Sequence, residues 1–150
     1  EFHLKPVTIS GSRIADSNEA VDLIALLGLD QIKLAEGEAK NPLPSAETKE
    51  VTLRGEIIDS KCALGAMNPA LFKPHRACAI RCISGGIPPL LRLKHEDGSM
   101  TYHLLVGAEG QMINQEILDY VALPVEVRGH LQTLGDWNML CAEEISLLDE

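Results

Sequence analysis

Gly55 stands at the centre of the alternating run Val51-Thr52-Leu53-Arg54-Gly55-Glu56-Ile57, and Gly129 at the centre of a second run, Pro124 to Thr133. Glycine weakens a strand interior, so it belongs there only where a strand bends sharply or another backbone passes close by. Two such strands in one chain of 150 residues point to a small, strongly curved sheet. In the first strand Val51, Leu53 and Ile57 form the apolar face; in the second, Val125, Val127 and Leu131. Leu90 to Leu93 and Met100 to Val106 flank Glu96-Asp97-Gly98, a hairpin signal, with Met100, Tyr102, Leu104 and Val106 as the expected core face. Ile113, Ile117 and Val121 make one stripe of a short helix expected over residues 111–121. A last strand, Trp137 to Leu147, follows the turn Leu134-Gly135-Asp136.

Three strands, a helix and two strands, with glycines inside the first and fourth strands, resemble the five-stranded OB-type barrel. The resemblance covers Val51 to Leu148 and implies a mainly β fold; the long connection from Ser60 to Pro89 adds a helical insert between strands one and two. Its usual ligand face would present Arg92, Thr101 and His103. Fold alone carries no chemistry. Ahead of this domain (residues 50–150), residues 1–35 read as an arm with a short helix. Asp16 and Glu19 have capping-box spacing, Ala20, Leu23, Ile24 and Leu27 follow a helical period, and Gly28 is placed to end it. Residues 36–49, polar and carrying Pro42 and Pro44, read as a linker.

The insert Lys61 to Pro89, KCALGAMNPALFKPHRACAIRCISGGIPP, holds three of the four cysteines. Pro74 suits the first position of a helix and Gly85-Gly86 its end, which predicts a helix over residues 74–83. At about 100° per residue, His75, Cys78 and Cys82 share one face of it, and Cys62 can fold back over that face. Three readings remain open. A disulfide among Cys62, Cys78 and Cys82 would staple the long loop. Alternatively Cys62, His75, Cys78 and Cys82 would ligate zinc in Cys3His geometry or an iron–sulfur cluster, although no CxxC or CxxCH is present. Lastly, the nearby Lys61, Lys73, Arg76 and Arg81 would stabilise thiolates and make the cysteines reactive. Cys141 reads as a buried free thiol facing inward. Glu56, Asp59 and His75 would form an acid/base set if the first strand meets the insert.

Charge limits the partners. The chain carries a net charge of -9 and only five aromatic residues, Phe2, Phe72, Tyr102, Tyr120 and Trp137, which weighs against a nucleic-acid backbone and a base-stacking platform. Yet residues 54–92 hold six basic and two acidic residues, against two basic and eleven acidic in residues 93–150. This local basic island, with Lys61, His75, Arg76, Arg81, Gly85, Gly86 and Pro88, is the expected binding surface for a protein partner. The longest apolar run, Leu23 to Leu29, is far below the roughly 18 residues a spanning helix needs. Because the chain opens at Glu1 without a basic and then apolar leader, removal of a signal or anchor segment is the expectation.

The stretches GEIIDSKC (Gly55–Cys62) and HRACAIRCISGGIPP (His75–Pro89) resemble a recurring pattern of small exported or membrane-anchored bacterial proteins. That resemblance implies bacterial origin and a periplasmic or other extracytoplasmic, membrane-tethered setting. It brings no activity with it. The expectation is a non-enzymatic accessory or binding domain of the cell envelope, with the metal or redox centre as its competitor.

Overall fold

The computed structural model describes residues 5–14, 23–37, 48–67, 70–134 and 137–148. In the arm, β1 (Val7–Ile9), β2 (Ser12–Ile14), β3 (Leu23–Ala25) and β4 (Ile32–Leu34) form two small antiparallel pairs, β1 with β4 and β2 with β3. The helix expected from Asp16 to Gly28 is corrected at its second half, because Leu23–Ala25 is extended and bonded to Ser12–Ile14; residues 15–22 lie outside the described residues. A strand partner supplied within the arm overrides the local helical period there.

Further along come β5 (Thr48–Asp59), which begins two residues inside the expected linker, helix α1 (Phe72–Ser84), β6 (Pro89–Lys94), β7 (Met100–Gly107), β8 (Pro124–Leu134) and β9 (Trp137–Leu147). The fold is mainly β, a mixed five-stranded sheet that closes in a ring in the order β5-β6-β7-β9-β8, with β8 back against β5. Only β7 and β9 run parallel, from Leu104 opposite Met139 to Gly107 opposite Ala142. Among the described residues no helix is long and apolar enough to cross a membrane.

The two central glycines sit where another backbone passes close by. β5 pairs with β8 up to Glu56 and with β6 from Glu56 onward, so Gly55 marks the handover, and a Cβ there would lie 2.4 Å from the Arg92 carbonyl oxygen. At Gly129 the β8–β9 register slips by a bulge, and a Cβ would lie 2.0 Å from the Cys141 carbonyl oxygen. Neither neighbour is a side chain that could swing away.

The core inside the ring is built from Ile57, Leu91, Leu105, Val125, Val127 and Leu140, closed by Ala79 and Ile83 of α1 and by Ile113, Ile117 and Val121. Two expectations change here. Residues 111–121 bury the predicted stripe, but as turns and a 3-10 segment, Leu118–Tyr120, in place of a regular helix. The Asn114 side chain donates from Nδ2 to the Ile83 and Ile87 carbonyls at 2.8 and 2.9 Å, and this anchor to the end of α1 competes with helical pairing. On β7 the face turned to the ring core carries Leu105 and His103; Tyr102 and Leu104 lie on the other face, packed with Ile58, Leu64 and Leu90 under the insert. Both faces of β7 are covered, so alternation alone could not tell them apart. Leu140, not Cys141, joins the core, although Cys141 is also buried and free.

Gly129→Ala is expected to destabilise the chain by about 1–3 kcal/mol or more, the range for forcing extra methyl groups into packed sites, read as a lower urea midpoint with unchanged m-value. His103 is buried with its Nδ1 unpartnered among the described residues, and burial, then the charge of His95, holds its pKa below the ordinary histidine value. A depressed pKa means the fold disfavours the proton. Its stabilising contribution is whole above the unfolded value of about 6.5 and is lost as pH falls further. The Tm difference between His103→Phe and the unaltered chain should therefore shift in favour of the variant between pH 7 and pH 5; a constant difference would contradict this.

Candidate metal site in the insert

β5 ends at the mouth of the ring with Asp59, which is fully buried. There the chain reverses. The Cys62 backbone N–H donates to Asp59 Oδ1 at 2.8 Å, a local side-chain bond of the type that starts turns. A wide helical turn over Cys62–Ala66 follows, with Gly65 at φ 132, a backbone position suited to glycine. Leu64 of this turn is buried with Ile58 and Leu90. The turn is thus pinned to the outer face of the sheet, with Cys62 above α1.

α1 starts at Phe72, two residues before the expected Pro74, because a group far away in sequence caps it: Glu56 Oε1 accepts the Phe72 N–H at 2.6 Å. The helix ends as expected, with Gly85 and Gly86 returning N–H bonds to Arg81 and Ile83 and Gly86 at φ 99. His75, Ala79 and Ile83 are the buried stripe. Cys78 and Cys82, half-buried, lie one step around the helix.

Two groups of potential ligands result, joined at Cys62. The sulfur atoms of Cys62, Cys78 and Cys82 lie within 4.8 Å of one another, and so do ligand atoms of Asp59, Cys62 and His75. Either group is close enough to bind a metal. His75 Nε2 lies 3.1 Å from Asp59 Oδ2, both side chains almost entirely out of water. Asp59, expected only as part of an acid/base set, is therefore central to the ligand cluster. Glu56 turns away from it to Arg92, at 2.9 Å.

The disulfide reading is corrected. All four cysteines are free, and three sulfurs gathered about one point form a trio, with none at bonding distance to another. For Cys62 and Cys82 the surroundings favour the thiol over the thiolate. Burial, followed by the negative charge and hydrogen bond of Asp59 and the neighbouring Cys82 and Cys78, pushes the Cys62 thiol far above the ordinary range. Cys82 is raised by burial, then Asp59 and Cys78. The basic residues do not offset this because of where they stand. Lys61 and Arg81 are exposed, while Arg76 donates to the carbonyls of Val121 and Asp119, each at 3.0 Å. Of the expected binding surface, Lys61, Arg81, Gly85, Gly86 and Pro88 are exposed, and His75 is buried.

Two adjoining groups, three thiols in one and a thiol, a carboxylate and an imidazole in the other, with Cys62, Asp59 and His75 buried and Cys78 and Cys82 half-buried, are electrostatically one-sided. They favour protons or a cation, because bringing several sulfurs and a carboxylate together in their anionic forms is costly without a positive centre. Neither a family model nor a curated protein nor a solved structure matches this chain.

Asp59→Ala would remove the acceptor of both the Cys62 N–H and His75, each orphaned buried donor costing about 1–3 kcal/mol. Glu126→Ala, which breaks the exposed pair with Arg54, should cost under about 1 kcal/mol. Equal urea midpoints for the two variants would rule out the organising role of Asp59.

Proposed function

We propose that this chain is an OB-like barrel domain whose insert binds one zinc ion and that it serves as a non-enzymatic accessory domain of the bacterial cell envelope. The observation that carries the metal reading is the meeting of Cys62, Cys78 and Cys82 within 4.8 Å, drawn from a turn and a helix 16 residues apart in sequence. Thiolates with an imidazole suit zinc, and structural zinc sites are closed and four-coordinate. Cys62, Cys78 and Cys82 would supply sulfur; His75, which meets this trio at Cys62, would close on the ion as the fourth ligand. Asp59 then has the place of the carboxylate that orients a metal-bound histidine. In this reading the ion replaces the disulfide as the staple of the insert, and binding it releases thiol protons.

The OB-like reading is supported by the ring order and by the single parallel pair β7–β9. Burial of Cys62, His75 and Asp59 favours a structural ion over a catalytic one, since a catalytic metal keeps an open position. The exposed strip of Lys61, Arg81, Gly85, Gly86 and Pro88 runs beside the site and would present a firm, basic surface to a protein partner. An ordered insert is what such a surface requires. The envelope setting rests on the sequence resemblance.

Native mass spectrometry of the chain purified with zinc should show one ion, lost with Cys82→Ser or Cys78→Ser and kept with Cys141→Ser. Chelation should lower Tm by about 5 °C or more, the equivalent of about 2 kcal/mol for a chain of this size. A Cys82→Ser variant that keeps its zinc, or a Tm indifferent to chelator, would refute the assignment.

A further inference from the structure

On the other side of α1's first turn lies a cleft of about 440 Å³, bordered by β5, β6 and the segment ahead of β8. Its walls combine two chemistries. Phe72, Leu123, Pro124 and Leu148 give it apolar surface, while Arg54, Arg92 and Lys94 bring three positive charges. The carboxylate among the lining residues, Glu56, is held by Arg92 Nη2 at 2.9 Å and by the Phe72 N–H at 2.6 Å. Arg54 is paired with Glu126 at 2.7 Å, so the positive charge of the lining left without a carboxylate among the described residues is that of Lys94, on a chain whose net charge is -9.

Arg92 is only 7% exposed, and its Nε has no hydrogen-bond partner among the described residues. A buried guanidinium N–H left unpaired is costly in a protein of this size. Phe72 adds a second anomaly. Its ring covers the Arg92 guanidinium at 5.1 Å yet stays 59% exposed. The backbone beneath it adopts φ 63, strained for a residue with a side chain. Ala122, at φ 58, is the other described non-glycine residue with positive φ, and it too lines this cleft. Strain of this kind persists where the surroundings enforce it, and it gathers at ligand sites.

We propose that this cleft binds a small monocarboxylate with an apolar body, its head group on Arg92 and Lys94 and its chain against Phe72 and Leu123. A single charge fits better than a phosphate, because Glu56 stands in the lining and opposes a second negative charge at the same place. The volume lies within the range of ordinary small-molecule sites. This site is separate from the thiol cluster and does not depend on the zinc reading.

Titration calorimetry of the full chain with octanoate, 1-octanol and octyl phosphate tests this. Octanoate should bind at least tenfold more tightly than octanol, with octyl phosphate weaker than octanoate. Lys94→Glu should weaken octanoate at least fivefold. Phe72→Gly should do the same while leaving Tm unchanged or higher, because glycine relaxes the positive φ; a purely structural role for Phe72 would lower Tm and leave affinity alone. No octanoate binding, equal affinity for octanol, tighter octyl phosphate, or unaltered affinity in either variant would overturn the proposal.

Discussion

The insert depends on one buried carboxylate. Asp59 terminates β5 inside the mouth of the ring, and its two oxygens face different parts of the same excursion, the turn at Cys62 through one and the helix at His75 through the other. Hydrogen bonds to a charged, buried acceptor are stronger than neutral ones and are costly to leave unmade. Without this residue the turn and α1 would share apolar contacts and little else to fix their relative angle. With it, the three insert cysteines are brought to one place.

A second contact of the same kind lies one turn back along α1. Glu56 holds the Phe72 N–H as Asp59 holds His75, each across 16 positions. The two carboxylates lie three residues apart on β5 and on opposite faces of it, so they grip α1 at its first turn and one turn later. Glu56 is also paired with Arg92 of β6. Removing either partner of such a buried pair would leave an uncompensated charge out of water. The helix is thereby fixed in both height and rotation, and the thiol cluster and the Arg92 cleft become two ends of one clamp.

Much of the ring was legible because its signals are local. Alternation over Val51–Ile57 and Val125–Leu131, the turn at Gly98 and the bending glycines each act within a few residues. What escaped was set by partners distant in sequence. The early start of α1 depends on Glu56, and the irregular path of residues 111–121 on Asn114 reaching the end of α1. The inner face of β7 could not be chosen because the insert covers its other side. At the site, the fold-back of Cys62 over α1 was legible and joins two groups, Cys78 and Cys82 in one and His75 with Asp59 in the other, whereas the importance of Asp59 had no signal beyond its place at the end of a strand just before a cysteine. The basic island was legible as composition, but its Arg76 is tied to carbonyls, and burial and Asp59 raise the Cys62 and Cys82 thiols.

The parallel pairing of β7 with β9 carries a kinetic consequence. Every element that bears a cysteine of the insert is complete by residue 84, but the ring closes only when β9, residues 137–147, slides between β7 and β8. Long-range strand pairing is slow because the entropy of closing the intervening loop is lost before any contact compensates it. A growing chain therefore presents Cys62, Cys78 and Cys82 to its surroundings before the ring on which the insert packs has closed. In an oxidising compartment that interval is when wrong disulfides would form, and folding then becomes a race between the last strand and the oxidant.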